Sequence, residues 1–418
     1  MRPLRFCFVT TFYPPYNFGG DGIGVQRWAR ALVSRGHQVT VLCDADTFNA
    51  LSDRPADKVV EDDGVVVERV STGLAPLSLL LTHQLGRPVL NATPIRRVLA
   101  QREFDVINYH NVSMIGGPAV LAEGRGIKLY TAWEHWLVCP THVLWRHRRE
   151  RCDGRECVRC SLHYNRLPQL WRYGGYFEKQ LANVDAFIAL SEFSRKMHKQ
   201  FGFAREMEVI PGFLQDDRRN ETRETGSSPH HRPFFFFAGR LERIKGLDDV
   251  IPVFRDYPHA DLLIAGDGDH RQALQQIASG IPNVRFLGRL PMVELNRYYS
   301  HAVATLVPSV GYETFGFVVI EAFRRGSPVI ARRVGPLPEL IEQCGGGETF
   351  DTPAELAVAL RRIQMEPGRR EALSFAASEG FGAHWSESAV VPRYFELLER
   401  LAGQGKKREL ASAIGAGL

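Results

Sequence analysis

Short apolar runs alternate with polar, glycine-bearing turns and with stretches of helical spacing, and this alternation predicts an α/β fold built on parallel sheets. Leu4 to Thr10 reads as a first strand, Gly19-Gly20-Asp21-Gly22 as a glycine-rich loop, Gly24 to Arg35 as a helix and His37 to Cys43 as a second strand. Asp105 to Tyr109 predicts a further strand with His110-Asn111 at its end, and Ser191 caps a later helix. The series restarts at Phe234, where four consecutive phenylalanines have the continuous apolar character of a strand buried on both faces. Leu262 to Asp269 repeats the passage from strand to turn. Ala304 to Val307 is a strand that feeds a polar loop, and Phe317 to Arg325 is a helix stopped by Gly326, with another strand from Pro328. A last helix is expected around Ser386 to Leu401, with Val390, Val391, Tyr394, Leu397 and Leu398 near helical spacing.

The restart divides the chain into expected domains. Residues 1–213 form the first, 214–232 a polar linker, 233–383 the second, 384–403 the final helix and 404–418 a tail. At 418 residues each domain can bury its own core. The 44% apolar and 24% charged residues are those of an ordinary soluble protein, and no run reaches the length of a membrane span. The amino terminus does not read as a signal peptide, so a cytoplasmic protein is expected. A net charge of +5 is modest, and no nucleic-acid partner is expected.

Candidate chemistry concentrates in the second half. Glu313 and Glu321 stand eight positions apart, the first in the loop and the second in the helix that follows. A strand, a glycine loop and a helix N-terminus in that order aim backbone N–H groups at whatever lies beyond the strand, and an anion suits such a place. Arg240 and Lys245 follow the phenylalanine strand, a bidentate guanidinium and a flexible ammonium suited to a diphosphate. Taken singly, paired glutamates or a Lys/Arg helix start are common solvated features.

The G-R-x(4)-K-G run, the A-G-D-G-D turn, the E-x(7)-E element and G-S-P-V-I with the following G-P-L-P-E-L together resemble the retaining nucleotide-sugar glycosyltransferases of the GT-B fold, glycosyltransferase family 4 (group 1). The resemblance implies two Rossmann-like domains facing a cleft, with the final helix crossing back to the first. It implies a UDP- or GDP-sugar donor, a glycan, lipid-linked or small-molecule acceptor, and retention of configuration without a catalytic metal. Glu321 would bind ribose. Arg240, Lys245 and the backbone of Thr314, Phe315, Gly316, Phe317 and Val318 would bind the diphosphate. Glu313, and His110 of the first domain, would hold the sugar, with Gly20 near the phosphates. Two rivals stand beside it. One is a glycoside hydrolase using Glu313 and Glu321 as an acid/base pair; the other is a non-catalytic scaffold that binds an anionic partner through the basic, cysteine-rich region.

Residues 131–176 exceed the family's minimal pattern, although some members carry a comparable insert. Cys139, Cys152, Cys157 and Cys160 form C-x(12)-C-x(4)-C-x(2)-C, which in a cytoplasmic protein favours a metal knot over two disulfides. A structural zinc, an iron–sulfur site and reduced thiols all remain open. Arg146, Arg148, Arg149, Arg151, Arg155 and Arg159, with Trp133, Trp136 and Trp145 interleaved, read either as a solvated face or as a patch for an anionic lipid or bilayer headgroup. Leu77 to Leu81 reads as a membrane-touching stretch or a core helix, so a peripheral position on the inner membrane face is a further expectation. Family members often have His where this chain has Trp133, which detaches the acceptor side from the family pattern.

Overall fold

The computed structural model describes residues 2–404 except 53–55, 57–61, 63, 102 and 217–226. Much of the segment expected as a linker, 214–232, and nearly all of the tail, 404–418, lie outside the described residues. The chain forms two compact units: Met1–Gln215 together with the chain from Val390 onward, and Asp216–Ala389.

In the first unit the strands are β1 (Arg5–Thr10), β2 (Gln38–Asp44), β3 (Val65–Val70), β4 (Val106–Tyr109), β5 (Ile127–Ala132), then a small antiparallel pair β6 (Trp145–Arg146) and β7 (Glu150–Arg151), then β8 (Ala186–Ala189) and β9 (Met207–Val209). All but β6 and β7 join one seven-stranded sheet of order β3-β2-β1-β4-β5-β8-β9, parallel throughout. Its central strands are buried along their length, as a sheet with covered faces requires. The glycine loop is shorter than its sequence suggests. The helix Gly20–Val33 already begins at Gly20, so Asp21 and Gly22 lie in its first turn and Gly19 is the cap.

The second unit carries β10 (Phe234–Ala238), β11 (Asp261–Ala265), β12 (Val284–Gly288), β13 (Thr305–Val307), β14 (Val329–Arg332) and β15 (Gly347–Phe350) in a parallel sheet of order β12-β11-β10-β13-β14-β15. The phenylalanine run is the buried central strand β10. Gly266, at φ +137°, marks a close approach of two backbone segments: a Cβ there would lie 1.8 Å from the carbonyl oxygen of Gly239. The glycines of the A-G-D-G-D turn are therefore set by backbone packing.

The last helix runs Glu387–Gln404, and from Val390 it belongs to the first unit. Val390, Val391, Tyr394, Leu397 and Leu398 are all buried, with Tyr394 4.8 Å from Trp28 and its hydroxyl accepting from Asn108 Nδ2 at 3.3 Å.

In residues 131–176 the arginines and the tryptophans part company: Arg148, Arg149, Arg151, Arg155 and Arg159 are exposed, as a solvated face requires. Trp133, Trp136 and Trp145 are buried and belong to the interior. Trp136 packs on Tyr130, Trp171 and Phe177, with the Arg172 guanidinium over its ring at 5.2 Å. The helix Ala75–Leu85 inverts the expectation of a core helix. It buries Ser78, Thr82 and His83 and turns Leu77 and Leu80 outward, 46% and 48% exposed.

Candidate functional site

In the second unit the site residues are placed by two loops at the carboxyl ends of neighbouring strands, where open parallel sheets bind ligands. The loop after β10 ends at Gly246, in the left-handed region at φ +74°, where a Cβ would lie 2.2 Å from the carbonyl oxygen of Pro308 in the loop after β13. The Val310 N–H donates to the Ile244 carbonyl at 2.9 Å, and Arg332 of β14 clamps the second loop from behind, Nε to the Pro308 carbonyl at 3.0 Å. This register carries Lys245 Nζ to 2.8 Å from Glu313 Oε1, which also accepts from Ser309 Oγ at 2.6 Å. Burial would raise the Glu313 carboxyl. The Lys245 ammonium, the hydrogen bonds from Lys245 and Ser309 and the charge of Arg240 outweigh it, so its pKa lies below the ordinary value. A carboxylate held ionised in this way is ill suited to be the proton donor of an acid/base pair. Arg240 is 63% exposed and pairs with Glu242 at 2.8 Å.

Beyond Glu313, the loop turns into the helix Phe317–Arg324 through Gly316, at φ +110°, which has no side chain with which to cap it. Thr314 and Phe315 precede the turn, and Phe317 and Val318 open the helix. The Phe315 ring is buried against Phe317, leaving its backbone as the part available to a ligand. Glu321 lies one turn further on, and the Tyr299 hydroxyl donates to its Oε2 over a long 3.4 Å. Burial first, then the Glu321 charge, holds the Tyr299 phenol well above its usual range. Ser309 and Tyr299 escaped the sequence reading, because nothing local distinguishes them from other strand-end and helix residues.

In the first unit Gly20 opens its helix with room around it, no heavy atom lying within 4 Å of a Cβ placed there. His110 follows β4, its backbone N–H donating to the Val9 carbonyl at 2.9 Å and its ring edge-on to Phe8 at 4.9 Å. Burial pulls its pKa down to about 3. Trp133 Nε1 donates to His110 Nδ1 at 2.8 Å, while His110 Nε2 is buried and has no partner among the described residues. A polar group gathers on the adjoining turns: Asn111 Nδ2 donates to Asp21 Oδ2 at 3.1 Å, and His142 Nδ1 meets Glu134 Oε2 at 2.6 Å. Burial, and after it the charge of Glu134, raises the Asp21 carboxyl. Glu134 Oε1 and His142 Nε2 are buried without partners among the described residues. The sequence offered one hint of this group, the adjacency of Asp21 to Gly20 and of Glu134 to Trp133.

Cys139, Cys152, Cys157 and Cys160 are unpaired thiols that line one cavity of about 20 Å³. The His147 N–H points to Cys160 Sγ at 3.4 Å, and Cys139 Sγ lies 3.3 Å from Thr141 Oγ1. Among the described residues no group of three or more His, Cys, Asp and Glu stands ready-formed around a metal position. Of the arginines nearby, Arg146 is bound to Glu150 and Asp153, and Arg148 lies over the Tyr164 ring at 4.9 Å. Among the described residues no helix is long and apolar enough to cross a membrane.

Residues 218–379 match the family described as glycosyl transferases group 1, and residues 18–218 match glycosyltransferase family 4. The chain is 32% identical over 406 residues to a D-inositol 3-phosphate glycosyltransferase of Catenulispora acidiphila, covering 88% of each protein. It is 26% identical over 408 residues to the phosphatidyl-myo-inositol mannosyltransferase of Mycobacterium leprae, covering 95% of this chain and 98% of that one. Among solved structures, the fold is similar to sucrose-phosphate synthase from Thermosynechococcus elongatus (TM-score 0.73, 19% identity, 96% of this chain and 100% of that chain). It is also similar to HepE of Anabaena in complex with UDP and glucose (TM-score 0.66, 18% identity, 95% and 100%). The chain belongs to glycosyltransferase family 4, the group 1 glycosyl transferases, and is a glycosyltransferase of the GT-B fold.

Proposed function

We propose that the chain moves a sugar from a nucleoside-diphosphate sugar, with UDP or GDP as the leaving group, to a hydroxyl of a glycan, lipid-linked or small-molecule acceptor, with retention of configuration. The observation that carries this reading is the ammonium of Lys245 held beside Glu313 at the strand ends, with the Arg240 charge alongside and the uncapped start of the helix Phe317–Arg324 following. Lys245, Arg240 and the backbone of Thr314 to Val318 bind the diphosphate. Negative charge grows there as the sugar departs, so fixed donors stabilise the transition state more than the ground state. Glu321 accepts from the ribose hydroxyls, Glu313 and His110 hold sugar hydroxyls, and Gly20 leaves space at the phosphates. In this reading the cations and backbone N–H groups offset the charge of the leaving diphosphate in place of a divalent metal, and the leaving phosphate takes the acceptor's proton. The neighbouring structure solved with UDP supports a nucleotide donor.

The acceptor is presented at a membrane face in this reading, with the protein cytoplasmic and peripheral. Leu74, Leu77, Leu80 and Leu85 of the helix Ala75–Leu85 and its cap are 43–56% exposed, and Leu170, 73% exposed, lies on the turn whose Trp171 Nε1 donates to the His83 carbonyl. Exposed leucines with a polar inner face suit shallow insertion. The four thiols line one cavity, and their soft ligand chemistry suits a structural zinc that would draw them together and tie the 139–160 segment.

The test is binding of UDP, GDP, ADP and their sugar conjugates, by thermal shift and calorimetry, followed by transfer assays. One nucleotide that stabilises the protein, with the effect weakened in Glu321→Ala, supports the reading. No response from a folded sample refutes it.

A further inference from the structure

We propose that Trp133 is a positioning residue for the transfer: its indole N–H fixes His110 in the one tautomer that presents Nε2–H, as a donor, to a sugar hydroxyl oxygen. The inference rests on the reading of His110 as a sugar-binding residue and adds the device that sets its polarity.

An indole nitrogen only donates, so the 2.8 Å contact from Trp133 Nε1 requires His110 Nδ1 to accept through its lone pair. The buried ring stays neutral at physiological pH, since burial pulls its pKa to about 3. A neutral imidazole with a bare Nδ1 carries its proton on Nε2. That Nε2 is shut away from solvent and has no partner among the described residues. A buried donor without a partner is costly, and a bound ligand oxygen repairs the deficit. With a neutral ring as the donor, a hydroxyl is the matching partner; a phosphate would call for a cation.

The arrangement is rigid on both sides. His110 is anchored by its backbone bond to Val9 and by the Phe8 ring. Trp133 is 8% exposed, and its ring fills the space over Gly24, where a Cβ would lie 2.3 Å from ring carbon Cη2. Only glycine at that helix position admits the indole at this depth. Glycine at 24, tryptophan at 133 and histidine at 110 thus form one unit drawn from a helix and the exits of two strands. A histidine at position 133 could offer either a donor or an acceptor to His110, whereas tryptophan removes that freedom.

The wild-type protein labelled with ¹⁵N-histidine reports the tautomer directly, with the His110 signals assigned by their loss in His110→Ala. We expect a pyridine-type Nδ1 and a protonated Nε2 from pH 5.5 to 8. A protonated Nδ1 overturns the proposal, whatever the donor proves to be. The second arm is kinetic. Trp133→Phe keeps the bulk and removes the N–H, and it should lower kcat/KM about tenfold, the worth of one hydrogen bond. In the His110→Ala background the same change should cost little. An equal loss in both backgrounds means that Trp133 acts on packing alone, and the proposal fails. Absence of transfer with every nucleotide sugar would refute the donor reading, while the tautomer would still be read from the spectrum.

Discussion

Replacing Lys245 by Met should do more than remove a phosphate ligand, because it strips the buried Glu313 of the cation bonded to it. Charges about 3 Å apart at an effective dielectric of about 20 attract by roughly 5 kcal/mol, and withdrawing both from water takes back more than half. The side chains of Lys245 and Glu313 are 26% and 22% exposed, which trims the remainder to about 2 kcal/mol of net coupling. Urea unfolding of wild type, Lys245→Met, Glu313→Gln and the double variant closes a double-mutant cycle. The double variant should be more stable than the sum of the single losses predicts, by about that amount at pH 7. The sign of the pH dependence follows from the lowered pKa of Glu313. Its stabilising contribution is present above the unfolded carboxyl value, about 4.3, and fades as pH falls through the lower folded value. In Lys245→Met the two largest lowering contributions are gone and burial is opposed only by the Ser309 hydrogen bond and the Arg240 charge, so the folded pKa moves up and a penalty appears as pH rises past about 4.3. The coupling should therefore be large at pH 7 and small at pH 3.5. A coupling below about 0.3 kcal/mol at pH 7, or one of equal size at both pH values, refutes the electrostatic account of this pair.

Three other outcomes are expected. Glu321→Ala should weaken nucleotide binding about tenfold by calorimetry, the scale of one charged hydrogen bond, with the fold intact by circular dichroism. Leu77→Asp with Leu80→Asp should abolish flotation with vesicles containing anionic lipid while leaving transfer to a water-soluble acceptor unchanged, and retained flotation would remove the membrane contact. Cys157→Ser with Cys160→Ser should lower the melting temperature by several degrees and leave nucleotide affinity alone, with metal analysis of the wild type showing about one zinc per chain; a metal-free wild type refutes the zinc.

The second unit was largely readable from sequence because its signals are local. Phe234 to Phe237 form a buried strand wherever a parallel sheet accepts them, and Gly316 and Gly326 punctuate a helix within one residue of where the pattern puts it. The pairing of Lys245 with Glu313 was not readable, since 68 residues separate them and Gly246 packing on Pro308 sets their register. The helix Ala75–Leu85 was open to two readings for a different reason. A run of leucines fits a core helix and an exposed one equally, and only the burial of Ser78, Thr82 and His83 tells which face is inward. The tryptophans of residues 131–176 read as a basic-aromatic surface because charge density is visible in sequence and depth is not. His110 stood out by its place after a strand and by the resemblance; Trp133, on the next strand's exit, stood out only as a departure from the family pattern, and its bond to His110 was not readable.

The return of the chain to its first unit at Val390 governs the order in which the molecule can be finished during synthesis. Residues 216–389 are complete, and free to fold, before the segment carrying Tyr394, Leu397 and Leu398 leaves the ribosome. Until then Trp28, packed on Phe213, lacks the Tyr394 ring at 4.8 Å, and Phe6 lacks the same ring at 6.4 Å. The part begun first is the part closed last, and a nascent chain stalled before residue 390 presents an uncovered aromatic seam for a chaperone to hold.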